Sequence, residues 1–470
     1  MTLDAEPLAT RPPEGARRRM RPRIRPDAVR AYDIRGVAGR QVTAAGVRAL
    51  GLSYATAARE RGLVRVAVGR DGRVSSPALE RALVAGLTAG GLTVERIGLG
   101  PTPKLAFAVR TRRLDGGIMV TASHNPPDEN GLKLLLGAER VHGEALKALV
   151  ALDGRPAPGG AVSDVSVCDA YVDALAGAAS GVRPLSVAWD CGNGATGPAV
   201  ERLVRRLPGR HVVINAEVDG RFPNHHPDPA VAENLSQLAA TVRAHGCDVG
   251  IAFDGDGDRI GVVDETGEPV WSDQLLLFLA CDLLKLRPGA SVVADVKSSR
   301  LLFDGVQACG GRPVMAPSGY VLVREAMRRA RAPLAGELSG HIFFADWHGA
   351  DDALYAALRT LQALSRTGRS LSAFRRTLPP SYATPELRIP CPDAAWVVRE
   401  TAERLAIPDD EFDPAMGLRR EVAGGWWLIR ASGTEPKVTC RCEGETPEAL
   451  ERVKASLFAH LRVCGVEAVS

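Results

Sequence analysis

Val249-Gly-Ile-Ala-Phe-Asp-Gly-Asp-Gly-Asp-Arg259 is the stretch of sequence that best predicts how this chain folds. Its first five residues form a short apolar run with β-branched members, which is typical of a buried strand. The strand would end at Asp254, and two further carboxylates, Asp256 and Asp258, follow between glycines. In open α/β sheets, ligands bind beyond the carboxyl ends of the strands. The stretch therefore predicts an α/β fold with a polar site at a strand end.

The same arrangement of a strand and a polar loop occurs at two other places in the chain. Gly117-Ile-Met-Val-Thr121 predicts a strand that leads to Ser123, and a later strand leads to the loop at Glu337. From about Ala28 onward, short β-branched runs alternate with longer helical patterns, as in α/β chains. We interpret the three places as an internal repeat of one mixed α/β module, whose loops face one cleft.

The length of 470 residues exceeds what a single hydrophobic core supports. The sequence predicts a tail followed by four domains. The predicted bounds are 1-26 for a disordered basic tail, 27-167 for α/β domain 1, 168-268 for α/β domain 2, 269-378 for α/β domain 3 and 379-470 for a smaller C-terminal α+β domain. The tail is predicted to be disordered because its arginines stand among prolines without apolar periodicity.

Composition and charge exclude several classes of protein. The chain is 45% hydrophobic and 24% charged, and its net charge of +4 is too small to indicate nucleic acid. The sequence shows no apolar run of the length that a signal peptide or a membrane span needs. We therefore expect a cytoplasmic protein that binds no nucleic acid or membrane, and nothing in the sequence implies a protein partner.

The cysteines agree with a reducing compartment. The nine residues are scattered, and we expect free, buried thiols rather than disulfides or a metal site. Cys440 and Cys442 form the one close pair, and on an extended strand both would point to the same face.

The loop Thr121-Ala-Ser-His-Asn-Pro-Pro-Asp-Glu-Asn-Gly-Leu-Lys133 carries a candidate nucleophile. Ser123 comes directly after a predicted strand, where Asn125 and two prolines would hold it rigidly. His124 and Lys133 could stabilise a phosphate on its hydroxyl. The loop lacks the G-x-S-x-G pattern of acyl-transfer enzymes. A plain turn between strand and helix would use the same residue types.

The Asp254, Asp256 and Asp258 loop predicts a metal site. Three carboxylates within five residues repel one another unless a cation neutralises them. The intervening glycines allow the backbone to bring the side chains together. Hard oxygen ligands without Cys or His favour Mg²⁺ over softer metals.

Two further loops have the chemistry of sugar-phosphate binding. In Gly336-Glu-Leu-Ser-Gly-His341, a carboxylate, a hydroxyl and an imidazole stand at alternate positions and could bind adjacent sugar hydroxyls. In Arg430-Ala-Ser-Gly-Thr-Glu-Pro436, an arginine, two hydroxyls and a glycine-centred run of backbone N–H groups could form a nest for a phosphate dianion.

Together and in this order, the four loops resemble those of the α-D-phosphohexomutase family, most closely its bacterial phosphomannomutase/phosphoglucomutase branch. The resemblance runs from about Arg30-Ala-Tyr-Asp-Ile-Arg-Gly36 to the last helix. It implies three similar α/β domains and a smaller fourth domain resembling the TATA-binding-protein unit. It also implies reversible phosphoryl transfer between C1 and C6 of mannose and glucose phosphates, through a phosphoserine and a hexose 1,6-bisphosphate.

The resemblance also assigns roles to individual residues. Ser123 would be the phosphoserine, and its oxygen would join Asp254, Asp256 and Asp258 on Mg²⁺. The remaining catalytic positions would be Arg35, His124, Lys133 and His341. The substrate-binding positions would be Tyr32, Lys297, Tyr320, Glu337, Ser339, His341, Arg430, Ser432, Gly433 and Thr434.

One position departs from the pattern of the branch, and two alternatives stay open. Gly319-Tyr320 stands where the branch usually has Gly-His, and a phenol cannot shuttle protons at neutral pH as an imidazole does. The form of the Arg430 loop also occurs in phosphoglucosamine mutases, so the substrate stays open. Asp254-Gly-Asp256-Gly resembles the motif of haloacid-dehalogenase phosphatases, although Asp258-Arg259 replaces the residues expected after it.

Overall fold

The computed structural model of the chain describes residues 23–137, 139–432 and 437–467. Within these ranges the chain forms four β-sheets, each of them covered by helices. Three sheets belong to mixed α/β modules and the fourth to a smaller α+β unit, which confirms the predicted fold class.

The first module is built on a seven-stranded sheet with the order β1-β5-β4-β2-β3-β7, and β6 pairs with β5. Its elements in chain order are β1 (Ile34–Val37), α1 (Ala44–Arg59), β2 (Arg65–Arg70), α2 (Ser76–Ala89), β3 (Thr93–Leu99), α3 (Thr102–Thr111), β4 (Gly116–Val120), β5 (Glu129–Leu136), β6 (Glu139–Arg140), α4 (Gly143–Ala151) and β7 (Ala161–Asp164). Helix α2 begins where the sequence places Pro77, which has the backbone angle that a first helical turn requires.

The second module has a five-stranded sheet with the order β12-β11-β10-β8-β9. Its elements are α5 (Cys168–Ala178), β8 (Leu185–Asp190), α6 (Gly197–Val204), β9 (Gly209–Ile214), α7 (Ser236–His245), β10 (Val249–Phe253), β11 (Ile260–Asp264) and β12 (Pro269–Val270). Every residue of β10 and β11 is buried, which explains why both strands are apolar apart from Asp264, whose carboxylate pairs with Arg375.

The third module has a five-stranded sheet with the order β14-β13-β15-β16-β17. Its elements are α8 (Ser272–Leu286), β13 (Ser291–Asp295), α9 (Arg300–Ala308), β14 (Arg312–Ala316), α10 (Tyr320–Ala330), β15 (Leu334–Gly336), β16 (Ile342–Phe344), β17 (Ala350–Asp351), α11 (Ala353–Thr367) and α12 (Leu371–Arg375). Asp352 caps α11 by accepting hydrogen bonds from two backbone N–H groups, as its position before the helix predicts.

The strand order confirms the internal repeat. The central strands run β3-β2-β4-β5, β9-β8-β10-β11 and β14-β13-β15-β16 in the three modules. In each set the first three strands are parallel and the fourth is antiparallel. The loops at Ser123, Asp254 and Glu337 follow the third strand of each set. They therefore occupy equivalent positions in the three modules.

The fourth unit has one antiparallel sheet with the order β18-β22-β21-β20, and β19 pairs with β22. Its elements are β18 (Tyr382–Ala383), β19 (Leu387–Pro390), α13 (Ala394–Arg404), β20 (Leu418–Val422), β21 (Gly425–Ala431), β22 (Lys437–Gly444) and α14 (Pro447–Val463). Both helices pack on one face of the sheet, around Trp427 and the buried thiols of Cys440 and Cys442.

The structure differs from the sequence-based expectations at one pair of cysteines and at the end of the predicted tail. Cys281 and Cys309 form a disulfide, so the prediction of nine free thiols is wrong for this pair. Packing of α8 against α9 brings the two Cα atoms to 5.5 Å, although 28 residues separate them in sequence. Most of the predicted tail lies outside the described residues, but its end is ordered: Ile24 is buried and Arg23 pairs with Asp153.

In the part of the chain that the structure describes, the helices are too short or too polar to cross a membrane.

Candidate active site

Ser123 lies at the centre of the site, where the loops of the first two modules meet. Its hydroxyl donates a hydrogen bond to Asp254 and lies 3.1 Å from Nδ1 of His124. Its backbone has a φ of 53°, a left-handed conformation that is unfavourable for a residue with a side chain. A Cβ at Gly255 would lie 2.4 Å from the Ser123 carbonyl oxygen, so only glycine allows the two loops to approach this closely.

Arg73 holds the serine loop in this conformation. Its buried guanidinium donates hydrogen bonds to the carbonyl oxygens of Ser123 (2.7 Å) and Asn125 (2.6 Å), and also to those of Pro126 and Glu129. Arg35 binds the Asn125 side chain at 2.7 Å. The hydrogen bonds from this one guanidinium to four carbonyl groups offset the conformational free energy that the strained backbone of Ser123 costs.

The three carboxylates of the second loop are buried side by side. Lys133 contacts Asp256 at 2.7 Å and also pairs with Asp258. The Asp254 carboxylate accepts hydrogen bonds from the backbone N–H groups of Asp258 and Arg259, each at 3.1 Å. The predicted convergence of these side chains is therefore present, and Lys133 lies against the carboxylates rather than against Ser123.

Burial and charge shift the pKa values of these groups in different directions. Burial, followed by the charges of Asp256 and Asp258, raises the pKa of Asp254 well above its usual range. Burial also lowers the pKa of Lys133, but the same two charges outweigh this effect and leave it raised. Burial and the charges of nearby arginines hold the pKa of His124 well below its usual value. His124 is therefore neutral at pH 7.

The donor atoms present fit a hard divalent cation. Ligand atoms of Asp254, Asp256 and Asp258 lie within 4.8 Å of one another. One oxygen each of Asp256 and Asp258 is buried without a hydrogen-bond partner among the described residues. Buried carboxylate oxygens of this kind are the preferred ligands of Mg²⁺.

The third loop reaches the same site through His341. Its Nδ1 lies 3.7 Å from Asp258 and 3.4 Å from Asp351, and its Nε2 accepts a hydrogen bond from Arg259 at 3.0 Å. Asp258, His341 and Asp351 also lie close enough to hold an ion. Arg140 pairs with Asp351 and Lys133 with Asp258, however, so each carboxylate of this second group already has a cationic partner.

Tyr320, the departure from the family pattern, is buried beside His341. The two rings stack with centroids 5.4 Å apart, and the guanidinium of Arg140 lies 4.6 Å from the centroid of the phenol ring. Its hydroxyl donates to the carbonyl of Tyr32 at 3.2 Å, and the Tyr32 hydroxyl donates to the carbonyl of Ser318 at 3.2 Å. Burial raises the pKa of Tyr320 to about 12, so it keeps its proton at neutral pH.

Two of the substrate-binding candidates, Lys297 and Ser339, lie at a cleft beside the carboxylate loop. Lys297 contacts Glu386 at 3.0 Å and lies 3.9 Å from Glu337. The Ser339 hydroxyl is buried without a hydrogen-bond partner among the described residues, and Ser339 and Lys297 line a cleft of about 970 Å³. Arg430 and Ser432 follow in the fourth unit, whereas Gly433 and Thr434 lie outside the described residues.

Sequence reasoning missed three residues of this site. Arg73 lies in the Asp71-Gly-Arg73 turn, which has no chemical motif of its own. Asp351 precedes the α11 cap residue Asp352 in sequence, but it pairs with Arg140 and lies 3.4 Å from Nδ1 of His341 instead of capping the helix. Thr102 donates a hydrogen bond to the Asp256 carboxylate from the start of α3. A threonine between two prolines carries no signal that could have predicted this contact.

Known proteins are similar to this chain along nearly its whole length. The phosphoglucomutase/phosphomannomutase families match by their alpha/beta/alpha domain I (residues 26–150), domain II (169–267), domain III (271–382) and C-terminal domain (386–460). A phosphoglucomutase of Neisseria gonorrhoeae is 40% identical over 91% of this chain and 95% of its own length. A phosphomannomutase/phosphoglucomutase of Pseudomonas aeruginosa is 39% identical over 90% of this chain and 93% of its own.

A crystal structure of a phosphoglucomutase/phosphomannomutase family protein from Burkholderia thailandensis has a TM-score of 0.85 and 38% identity. It covers 93% of this chain and 98% of its own. The fold and the site place the chain in the class of the phosphohexomutases, with three similar modules around one serine and one cluster of carboxylates. The chain belongs to the phosphoglucomutase/phosphomannomutase family, and it is a hexose phosphate mutase.

Proposed function

We propose that this enzyme moves a phosphoryl group reversibly between C1 and C6 of mannose and glucose phosphates. Ser123 carries the phosphoryl group, and hexose 1,6-bisphosphate is both the intermediate and the activator. The observation that carries the proposal is the position of the Ser123 hydroxyl. It lies against Asp254 and 3.1 Å from a neutral His124, inside a cluster of buried carboxylates.

On the serine side, each residue has a role that its contacts support. The Ser123 hydroxyl has two proton acceptors in reach, Asp254 and His124. Arg35 and Arg73 fix the loop, so that the oxygen meets the phosphorus in a constant position. Lys133 stays charged and balances the negative charge of the carboxylates.

Asp254, Asp256 and Asp258 would hold Mg²⁺ together with the Ser123 oxygen. When bound, the ion neutralises charge on the transferring phosphoryl group. The unpartnered oxygens of Asp256 and Asp258 are the atoms available for it.

On the binding side, we assign the phosphate that is not reacting to Arg430, Ser432, Gly433 and Thr434, with Lys297 and Tyr32 beside them. Glu337 and Ser339 would bind sugar hydroxyls. His341 and Tyr320 are buried against Asp258 and Arg140, so their role at the sugar would be to support the loop and to contact one edge of the ring. The cleft of about 970 Å³ that Arg259, Lys297 and Ser339 line would admit a sugar phosphate beside the carboxylate loop.

The first experiment asks where the phosphate is carried. Intact-mass analysis of the purified enzyme should show a phosphorylated fraction that is lost in Ser123→Ala and kept in Ser163→Ala, an exposed serine of the same module. A label that is labile to hydroxylamine and lost in Asp254→Asn would instead support the phosphatase alternative and contradict the proposal.

The second experiment concerns the substrate. Coupled assays should show turnover of mannose 1-phosphate and glucose 1-phosphate at similar kcat/KM. Phosphoglucosamine mutase is the second candidate, because the Arg430 loop shares its form and Tyr320 replaces a histidine. Turnover of glucosamine 6-phosphate far above that of both hexose phosphates would favour it.

A further inference from the structure

We infer that Arg419, Trp426 and Arg441 form a clasp that positions Lys297 for the substrate phosphate. These residues belong to the fourth unit, whereas Lys297 belongs to the third module. The inference rests on the proposed function, because it names the residues that align two phosphate-binding cations. We refer to Arg419, Trp426 and Arg441 as the domain-4 clasp.

The clasp residues share one face of the fourth sheet. Arg419 on β20 pairs with Leu428 on β21, and Leu428 pairs with Arg441 on β22. Trp426 and Arg430 lie two residues before and after Leu428, so they point to the same face as Leu428. The opposite face, with Trp427 and its neighbours, forms the core of the unit. One sheet face therefore carries the clasp and the phosphate-binding arginine together.

This face binds the backbone turn that carries Lys297. Arg419 donates hydrogen bonds of 2.7 Å to the carbonyl oxygens of Val296 and Ser298. Arg441 donates to the carbonyl oxygen of Lys297 itself. Three successive carbonyl groups are thus held by two guanidinium groups, so both the position and the orientation of the turn are determined.

Apolar packing supports the same contact. The guanidinium of Arg419 lies 3.6 Å from the centroid of the Trp426 ring, which is fully buried. Trp426 packs with Leu428 and with Val296 of the third module. The cation–π interaction with the buried indole ring holds the guanidinium of Arg419 in one position. Trp426 therefore packs at the junction between the third module and the fourth unit.

The contacts of the Lys297 side chain complete the link. Its ammonium pairs with Glu386, which immediately precedes β19 of the fourth unit, at 3.0 Å. Burial and the charge of Arg430 lower the pKa of Lys297, but Glu386 and the other nearby acids outweigh both effects and leave it raised. The clasp thus holds Lys297 and Arg430 near each other, in an arrangement that suits a dianion between them.

The test separates positioning from mere stability. Arg419→Met keeps an unbranched side chain over Trp426 but removes both carbonyl hydrogen bonds. We expect KM for glucose 1-phosphate to rise about tenfold, the cost of one misplaced charge-assisted hydrogen bond, while kcat changes less than twofold. Arg420→Met, an exposed neighbour on the same strand, should leave KM unchanged. Arg419→Lys should restore part of the affinity.

A double-mutant cycle tests whether the clasp acts through Lys297. In a Lys297→Met background, Arg419→Met should raise KM by less than twofold, because the group that it positions is already absent. A full tenfold rise in that background would overturn the inference. So would a lower melting temperature of Arg419→Met with an unchanged KM. If Arg419→Met does not fold, the same double-mutant cycle with Lys297→Met can be measured with Arg419→Lys and with Arg441→Lys.

Binding of glucose 6-phosphate to the Ser123→Ala enzyme, measured by calorimetry, keeps the two proposals apart. Wild-type enzyme without mutase activity would contradict the proposed function. If the wild type has mutase activity but Arg419→Met does not change the affinity of Ser123→Ala for glucose 6-phosphate, only the clasp is contradicted.

Discussion

The serine side and the phosphate side of the site are constructed differently. Ser123 and the carboxylates are buried, and backbone groups or a buried arginine hold them in place. Lys297 and Ser339 line an open cleft, and Arg419 of the fourth unit holds the turn of the third module that carries Lys297. Phosphoryl transfer needs one fixed geometry, whereas the binding side must accept either phosphate of the bisphosphate. The comparison predicts losses of kcat on one side and of affinity on the other.

Loss of the metal site should have the largest effect. EDTA should abolish turnover and Mg²⁺ should restore it, because charge on the phosphoryl group is otherwise not neutralised. Asp256→Asn should lower kcat by about a thousandfold or more with little loss of stability, since it also relieves repulsion among buried carboxylates. Asp169→Asn, an exposed carboxylate of the same module, is the control. Full activity after thorough chelation would contradict the metal assignment.

Removal of Arg73 should come next. Arg73→Met leaves four loop carbonyls without their donor, so we expect kcat to fall about a hundredfold and the phosphorylated fraction to decrease. Arg81→Met, an exposed residue of α2, controls for loss of charge. Urea unfolding of both variants separates loss of fold from misplacement of Ser123. If Arg73→Met proves unstable, Arg73→Lys should show a smaller fall in kcat. An unchanged kcat in both variants would contradict the role of Arg73 in positioning Ser123.

Arg430→Ala should weaken substrate binding and leave kcat nearly unchanged. We expect KM to rise by about thirtyfold for mannose and glucose 1-phosphates alike, since the arginine binds the phosphate and not the sugar. Steady-state kinetics with both substrates provides the measurement. The two wild-type kcat/KM values should differ by about tenfold or less, because only the C2 hydroxyl distinguishes the sugars. An effect of Arg430→Ala on one sugar only would show that the phosphate-binding assignment is wrong.

The smallest effect on activity should come from Lys104, a buried lysine in the first turn of α3. Burial lowers the pKa of this lysine to about 8, and its ammonium donates to the carbonyl of Ile97. Between pH 8 and the unfolded value near 10.5, the unfolded chain binds more protons, so stability rises with pH. Relative to Lys104→Met, the wild type should gain roughly 3 kcal/mol across this window.

Urea unfolding at pH 8, 9 and 10 measures this gain, and Lys285→Met, an exposed lysine, controls for the general loss of one amine. A constant difference between the wild type and Lys104→Met at all three pH values would contradict the prediction. Activity of Lys104→Met at pH 7.5 should stay within about threefold of the wild type, because Lys104 does not contact the carboxylates or Ser123.

The sequence by itself determined the modules and the chemistry of each loop. Strand β10 and the Asp254 loop are contiguous, and so are β4 and Ser123, so apolar runs and turn residues predicted them directly. The order of the strands in the three modules bears out the repeat that these segments suggested. Local chain geometry decides such features, because neighbours in sequence remain neighbours in the fold.

Only the tertiary structure decided which distant residues support those loops. Arg73 lies 50 residues before Ser123, and Arg419 lies more than 100 residues after the turn that it binds. Cys281 and Cys309 meet because two helices pack together. An arginine, a cysteine or the first member of the Asp351-Asp352 pair has no local pattern that identifies its partner. Such partners are set by packing and by the need to satisfy buried carbonyls and charges, which arise only once the domains have come together.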